Sequence, residues 1–263
     1  MEYGYNEISP SPKGWGYEKN SFREATVNID LRNYDAVTFD CYGTLIDWDT
    51  GISNDLGPLA VQHELPGKIA DLVESFAKFQ YENQRIRPFK NYREVIRDSL
   101  EEAVSLVDVS IPARDLDAFA KSVGTWPAFA DTVDSLRVLK SYGLHLGVLS
   151  NVDRLSFEQS HERLGCLIDT VVTADMAQAY KPDLEMFNAL FQALEEKGIS
   201  RDRVLHLAQS RFHDVAPGNE IGLDVVWIDR RHGRPGKGVT ISVDAAPVAR
   251  FANLEEFCSS SLC

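Results

Sequence analysis

The stretch DAVTFDCYGTLIDWDT, residues 35–50, carries the clearest structural signal in this chain of 263 residues. Its apolar run AVTF, residues 36–39, is typical of a short buried β-strand, and a carboxylate, Asp40, follows it directly. Gly43 indicates a tight turn, with the hydroxyl of Thr44 beside it. Because an isolated charge is costly to bury, a carboxylate in this position calls for a partner or a chemical function.

The composition is that of a globular protein, with 44% hydrophobic and 25% charged residues, and the length suffices for one large domain or for a core domain with a smaller insert. A net charge of −13 argues against nucleic acid or an anionic membrane as a partner, because phosphate binding needs clustered Lys and Arg. The short basic run at residues 229–234 is interpreted as a solvated loop. The four cysteines fit neither a metal site nor a disulfide framework: Cys41, Cys166, Cys258 and Cys263.

Residues 1–34 are rich in Gly, Pro, Ser, Asn and Tyr and show no periodicity, so we predict an N-terminal extension outside the main fold. They lack the apolar centre of a secretory signal, and no segment of the sequence is apolar over the length that crosses a membrane. We therefore expect a cytoplasmic protein.

The segment that follows residue 50 has helical periodicity and no strand pattern. Apolar residues recur at helical spacing in three segments, 68–83, 92–107 and 113–124. A further helix is predicted at the end of segment 126–143, where Gly143 stops it. We assign residues 51–127 to a helical cap domain that is inserted after the first strand.

Strands and helices then alternate to the end of the chain. Strands are predicted at 144–150, 169–175, 203–210 and 224–230, with another suggested at 240–244, and helices at 156–165 and 182–198. This alternation predicts the α/β fold class, a doubly wound (Rossmann-like) parallel sheet with helices on both faces. Residues 35–50 and 128–263 are assigned to this core domain.

Ligands of open parallel sheets bind at the carboxyl ends of the strands, and four successive predicted strands are followed there by polar residues. Taken singly, such residues also occur as turn formers, helix caps or surface groups. Their succession at one edge of the sheet predicts a functional site. The residues concerned are Asp40 after the first strand, Ser150 and Asn151 after the second, Lys181 after the third, and His213 and Asp214 after the fourth.

The motifs FDCYGTLID, VLSN, YKPD and HD, in this order and with a helical insert after the first, resemble those of the haloacid dehalogenase superfamily. The resemblance covers residues 35 to about 235. It is closest to the type II 2-haloacid dehalogenases, in which the nucleophilic Asp is followed two residues later by Tyr, as Asp40 is by Tyr42 here.

The resemblance implies a role for each motif residue. Asp40 is expected to be the nucleophile, Ser150 and Asn151 to bind the anionic end of the substrate, Lys181 to neutralise charge, Asp214 to position or activate water, and Thr44 to hydrogen-bond a carboxylate. General chemistry agrees, because a carboxylate can displace a leaving group to form an ester and a second carboxylate can activate water. A nearby Lys181 is expected to lower the pKa of Asp40.

Tyr42 bears on the reaction class. Phosphatases of the same superfamily carry an Asp at this place, which protonates the leaving alkoxide. A tyrosine has an ordinary pKa of about 10 and is a poor substitute, whereas a halide leaves without a proton. Tyr42 therefore favours carbon–halogen chemistry, although packing beneath the cap would also account for it.

Several residues depart from the family pattern. Phe187 stands where the dehalogenases carry a Tyr hydroxyl, and Gln209 and Arg211 stand where they carry a Ser and an Asn. Candidates for the halide-accepting arginine are Arg85, Arg87 and Arg211. Arg211, His213 and Trp48 are predicted to line a reshaped pocket; their alternative roles are a surface ion pair, a hydrogen bond outside the pocket, and cap–core packing, respectively.

Three hypotheses follow. The first is a hydrolase without cofactor that forms an ester on Asp40, with a small anionic organic substrate such as a 2-haloacid, or another activated carbon. The second is a Mg²⁺-dependent phosphatase that holds the ion with Asp40, the Tyr42 carbonyl and Asp214. The third is a non-catalytic binding protein that uses residues 1–34 as an interaction arm. A homodimer is also expected from the resemblance.

Overall fold

One sheet of parallel strands forms the centre of the protein, whose computed structural model describes residues 29–232, 241 and 243–261. Its six strands are β1 (Ala36–Phe39), β2 (His145–Ser150), β3 (Thr170–Thr173), β4 (Val204–Ala208), β5 (Asp224–Ile228) and β6 (Ala249–Phe251). Their order is β3-β2-β1-β4-β5-β6, and every neighbouring pair is parallel. The predicted α/β class is confirmed.

Strand β1 lies in the middle of the sheet, between β2 and β4, and all four of its residues are fully buried. The chain extends the sheet on one side through β2 and β3 and then on the other through β4 to β6. The direction of winding therefore reverses between β1 and β4. In open α/β sheets, this reversal opens a crevice at the carboxyl ends of the strands, where ligands bind.

Helices cover the sheet and fill the long connection between β1 and β2. They are α1 (Trp48–Gln62), α2 (Ile69–Gln84), α3 (Tyr92–Ser105), α4 (Ala113–Ser122), α5 (Thr132–Ser141), α6 (Arg154–Arg163), α7 (Ala174–Ala177), α8 (Leu184–Glu195), α9 (Ala216–Ile221) and α10 (Leu254–Ser261). The first five lie between β1 and β2, where α2 packs on α3 and α3 on α4. In the described ranges, no helix has the length and apolar character needed to cross a membrane.

Helix α1 is absent from the sequence prediction and begins before the predicted cap boundary. Asp47 caps it by accepting hydrogen bonds from the backbone N and Oγ1 of Thr50, at 3.1 and 2.8 Å. Its residues Gly51, Gly57 and Pro58 disfavour a helix interior, which hides it from propensity. Gly51 is needed for packing, because a Cβ there would lie 2.3 Å from Cγ of Trp126.

Two further expectations differ from the structure. Residues 241, 243 and 244 of the suggested strand 240–244 are not in a strand, while 240 and 242 lie outside the described residues. The sixth strand is β6, which pairs with β5. Residues 1–28 of the predicted extension lie outside the described residues. Leu31, which the prediction also placed outside the main fold, is buried in the core.

Candidate active site

Asp40, Lys181 and Asp214 meet at the carboxyl ends of β1 and β4. Lys181 Nζ donates to Asp40 Oδ1 at 2.9 Å, to Asp214 Oδ1 at 2.7 Å and to the carbonyl of Leu149 at 2.9 Å. All three charged residues are buried, and the backbone N of Asp40 donates to Leu207 O of β4 at 3.0 Å. The predicted contact between Lys181 and Asp40 is confirmed.

Burial and neighbouring charges shift the pKa values of Asp40 and Asp214 in opposite directions. Burial raises the pKa of Asp40, and the lowering effect of Lys181 is outweighed because the charge of Asp214 adds to burial. Burial would also raise the pKa of Asp214, but Lys181 and a hydrogen bond from His206 lower it to about 2. Lys181 therefore lowers the pKa of Asp40 as expected, but burial and the charge of Asp214 together leave that pKa above its ordinary value. Asp214 is the stable anion, and Asp40 is the more basic carboxylate.

Thr44 holds the second oxygen of Asp40, as predicted. Its Oγ1 donates to Asp40 Oδ2 at 2.7 Å and accepts from the backbone N of Gln209 at 2.9 Å. The turn that brings Thr44 back to Asp40 passes through Gly43 at φ +99°, a conformation that glycine adopts without strain. Both oxygens of Asp40 are thus oriented by hydrogen bonds.

His206 is part of the site and was not identified from the sequence. It lies on β4 opposite Thr38 of β1, and its Nδ1 is 2.9 Å from Thr38 Oγ1. Its Nε2 is 3.2 Å from Asp214 Oδ1, so that this oxygen has partners in both His206 and Lys181. A histidine within the buried run VLHLA was the available signal, because a buried polar group requires a partner.

The residues after β2 reach the same edge. Ser150, the last residue of β2, is buried and faces the cavity, as does Asn151. The Asn151 amide, however, is used to hold the backbone of Lys181: its Oδ1 accepts from Lys181 N at 2.7 Å, and its Nδ2 donates to Lys181 O at 3.1 Å. Asn151 therefore positions Lys181, in addition to lining the cavity.

Tyr42 lines the cavity with its ring but directs its hydroxyl elsewhere. The hydroxyl lies 2.6 Å from Ser160 Oγ of α6, and the ring packs edge-on against Trp126 at 6.0 Å between centroids. Burial raises the pKa of Tyr42 well above its ordinary value. Its hydroxyl is not placed to give a proton to a leaving group bound at Asp40.

A cavity of about 190 Å³ lies above the charged trio. The predicted site residues that line it are Asp40, Tyr42, Trp48, Ser150, Asn151, Lys181, His213 and Asp214. Helix α2 closes it from the cap side with Ala77, Gln80, Tyr81 and Gln84. Trp48 fulfils both roles considered for it, because it also packs edge-on against Trp126 at 6.3 Å. The volume lies below the range of drug-sized pockets and suits a small ligand.

The three arginines proposed from the sequence as halide acceptors do not line this cavity and contact other groups instead. Arg211 Nη2 donates to the carbonyl of Ala245 at 2.5 Å, and its guanidinium lies 5.6 Å from the ring centre of Trp227. Arg85 lies over the ring of Tyr81, and Arg87 pairs with Asp183. The prediction that Arg211 lines the pocket is wrong, because its side chain turns toward β5.

Arg230 and Arg231 line the cavity instead, in the run that was interpreted as a solvated loop. Arg230 is held in place: its Nε donates to Thr44 O at 3.0 Å, and its Nη1 donates to both carboxylate oxygens of Asp131 at 2.8 Å. Arg231 Nη1 donates to Asp49 at 2.5 Å, and its side chain is 20% exposed. Both lie within three residues of the end of β5, so the strand-end rule would have found them.

A single π-helical turn, Arg211–Val215, carries His213 and Asp214 into the cavity. Ser210 caps this turn: its Oγ accepts from the backbone N of His213 at 3.0 Å and lies 3.0 Å from His213 Nδ1. Phe187, which has no hydroxyl, stands where the family pattern has a tyrosine. It is fully buried beside the ring of His206. The hydroxyl expected from the family pattern is therefore not supplied by residue 187.

The magnesium site considered from the sequence shares two of its ligands with Lys181. Lys181 Nζ lies between two of its intended ligands, 2.9 Å from Asp40 Oδ1 and 2.7 Å from Asp214 Oδ1. Throughout the part of the chain that the structure describes, no group of three or more His, Cys, Asp or Glu side chains is arranged to hold a metal ion.

The sheet order, the helices inserted after β1 and the buried aspartate at the sheet edge define a hydrolase scaffold of the doubly wound α/β class. The sequence model of the haloacid dehalogenase-like hydrolase family matches residues 34–208. The chain belongs to this family.

Known relatives agree with this assignment. A Pseudomonas putida protein named (S)-2-haloacid dehalogenase is 24% identical over 232 residues, which cover 86% of this chain and 96% of the relative. A solved L-2-haloacid dehalogenase superposes with a TM-score of 0.74 at 24% identity, covering 88% of this chain and 99% of the other. The structure of the Xanthobacter autotrophicus L-2-haloacid dehalogenase with chloropropionic acid covalently bound superposes with a TM-score of 0.73 at 19% identity. The superposition covers 86% of this chain and 97% of the other. These structural similarities support the fold.

Proposed function

We propose that the protein hydrolyses the carbon–halogen bond of a small 2-haloacid through an ester on Asp40. The observation that carries this proposal is the placement of Tyr42. Its hydroxyl is bonded to Ser160, and its pKa is raised, so the site offers no acid at the position where phosphatases of the superfamily protonate an alkoxide. Halide departure needs no such acid. The names of the relatives support the same substrate class.

In the first step, one carboxylate oxygen of Asp40 attacks C2 of the substrate, the carbon–halogen bond breaks, and the halide takes the electron pair. Lys181 and Thr44 hold the two Asp40 oxygens and limit their rotation before attack. Because the pKa of Asp40 is raised by burial, its anion is more basic than an ordinary carboxylate. Asp214 keeps Lys181 charged in the same site.

In the second step, water attacks the carbonyl carbon of the Asp40 ester. Asp214, ionised because its pKa is lowered to about 2, accepts hydrogen bonds from this water and takes its proton. The bond between the Asp40 carbonyl carbon and the substrate oxygen then breaks, and the product oxygen takes a proton. A 2-hydroxy acid and the Asp40 carboxylate result.

Substrate binding requires a cation besides Lys181, because two carboxylates and one ammonium leave the trio with an excess of negative charge. We propose that Arg231 supplies it and that Ser150 adds a hydroxyl donor. Arg231 lines the cavity and retains exposure, whereas Arg230 is held by Asp131 and Thr44. Arg231 can therefore move from Asp49 to an incoming carboxylate or a departing halide.

We further propose that the reaction needs no metal ion. The position of Lys181 between Asp40 and Asp214 supports this, because its ammonium supplies the positive charge at the place where these carboxylates would share a cation.

The proposal is tested by product release from the purified protein. The enantiomers of 2-chloropropionate, two haloacetates and an aryl phosphate are each supplied with EDTA and with Mg²⁺, and halide and phosphate are measured. We expect halide release that is equal under both conditions and reduced by about 10⁴-fold or more in Asp40→Asn. Phosphate release that requires Mg²⁺ would replace the proposal by the phosphatase hypothesis. Release of neither product would leave the binding-protein hypothesis, which deletion of residues 1–34 then tests.

A further inference from the structure

Two buried polar atoms of adjacent residues lack a hydrogen-bond partner within the described part of the chain. They are Nε2 of His213 and Oδ2 of Asp214, and both residues line the cavity above Asp40. Leaving such atoms unsatisfied costs free energy, so their positions require an explanation. The roles assigned so far use Asp214 and leave His213 without one.

The remaining polar atoms of both side chains are already occupied, which determines what the two atoms can do. Asp214 Oδ1 accepts from Lys181 at 2.7 Å and lies 3.2 Å from His206 Nε2. Ser210 holds His213 through its backbone N and its Nδ1, each at 3.0 Å. The carboxylate and the imidazole are thus both fixed, and each has one acceptor position left for a ligand in the cavity.

A water molecule suits such a pair, because it offers two hydrogens to two acceptors and keeps a lone pair for attack. We propose that His213 Nε2 and Asp214 Oδ2 together hold the water that hydrolyses the Asp40 ester, which makes His213 a catalytic residue of the second step. This inference rests on the proposed function. In the family pattern, a Ser and an Asn help to position this water, and Gln209 and Arg211 stand in their places here. The inference assigns the positioning of the water to His213 instead.

The proton inventory is consistent with this arrangement. In the tautomer with the proton on Nδ1, His213 donates to Ser210 Oγ, and the Nε2 lone pair accepts from water. Burial lowers the pKa of His213 to about 4, so the ring is neutral near pH 7. The water gives one proton to Asp214 and keeps the other, hydrogen-bonded to His213, as its oxygen bonds to the Asp40 carbonyl carbon. After the ester bond breaks, the proton on Asp214 passes to the alkoxide of the product. The proton that the water kept then leaves the Asp40 carboxyl group as the net proton of hydrolysis, which restores the Asp40 carboxylate.

The inference predicts that His213 matters for hydrolysis of the ester and little for its formation. The test compares wild type, His213→Phe and His213→Gln with the haloacid that wild type turns over best. Halide release is followed from the first turnover, and the intact protein mass is measured after rapid quenching. Asp214→Asn serves as a reference variant for slowed hydrolysis.

We expect His213→Phe to release about one halide per protein rapidly and then to turn over about 10²-fold more slowly than wild type, with the Asp40 ester accumulating. His213→Gln, whose amide can accept a hydrogen bond near the same place, is expected to recover most of the lost rate without ester accumulation. If His213→Phe does not fold, His213→Leu replaces it in the same comparison.

Two results would overturn the role of His213 and leave the proposed function intact. One is that His213→Phe turns over as fast as wild type and accumulates no Asp40 ester. The other is an equal slowing of the initial halide release and of turnover, which indicates a structural defect. If wild type itself yields neither halide nor an ester mass, the proposed function fails and this inference fails with it.

Discussion

The floor of the cavity, formed by Asp40, Lys181 and Asp214, and its rim at Arg231 differ in how firmly they are held. Lys181 makes three hydrogen bonds of 2.7–2.9 Å, and its side chain is 2% exposed. Arg231 donates to a carboxylate of α1, and its side chain is 20% exposed. The floor residues lie in motifs that carry the family resemblance, whereas Arg231 lies in none of those motifs. The difference indicates a fixed reaction centre beneath an adaptable binding surface.

The largest loss of stability is expected when Lys181 of the floor is replaced by an uncharged residue. Lys181→Met leaves two buried carboxylates without their ammonium, and the free energy of unfolding should fall by about 3–5 kcal/mol. The matched control is Lys140→Met. Lys140 contacts both oxygens of Asp169 at 2.7 Å, but its side chain is 35% exposed, so a loss of about 0–1 kcal/mol is expected.

Urea denaturation at pH 7 measures both losses. Equal losses for Lys181→Met and Lys140→Met would mean that burial does not distinguish the floor from an ordinary surface ion pair.

The next effect concerns His213 and the dependence of stability on pH. Burial lowers its pKa from 6.5 to about 4, so between these values the unfolded chain binds a proton more readily than the folded protein. The stability that this residue contributes is present above pH 6.5 and is lost as the pH falls toward 4. The loss amounts to as much as about 3 kcal/mol.

The difference in unfolding free energy between pH 7 and pH 4.5 should therefore be smaller in His213→Gln than in wild type. Chemical denaturation of both proteins at the two pH values measures it, and groups other than residue 213 cancel in the comparison. The same pH dependence in both proteins would show that His213 does not titrate in this way.

The smallest effect is expected at Arg231, where the rim contacts substrate. Arg231→Met should raise KM for the haloacid by about 10–100-fold, the loss expected for a charge-assisted hydrogen bond of about 1.5–3 kcal/mol. Arg87→Met is the matched control, because Arg87 was also a candidate from the sequence but pairs with Asp183. Steady-state kinetics of both variants decide between the two arginines. An increase in KM for Arg87→Met alone would mean that Arg87, and not Arg231, binds the anion.

The parallel sheet and the floor could be predicted from the sequence because both depend on local patterns. Apolar runs bounded by turn residues mark β1 to β5, and the alternation with helices makes the strands parallel. Parallel strands end at one edge, so Asp40, Lys181 and Asp214 were expected together although 141 residues separate the first two.

The errors concern packing and side-chain direction. Helix α1 contains Gly51 and Pro58, and its place depends on the close approach of Gly51 to Trp126. His206 enters the site only because the register of β4 sets it beside Thr38. Arg211 follows a strand end as Arg231 does, yet it turns toward β5.

The sequence by itself determined the order of strands β1 to β5, the helical insertion after β1 and the identity of the charged floor residues, because hydrophobic periodicity and the residues at strand ends are properties of short segments. Only the tertiary structure decided that Asp214 has a lowered pKa and Asp40 a raised one, that the Tyr42 hydroxyl turns to Ser160, and that Arg231 faces the cavity. Those outcomes depend on burial and on distances between residues far apart in the chain, and folding alone sets both.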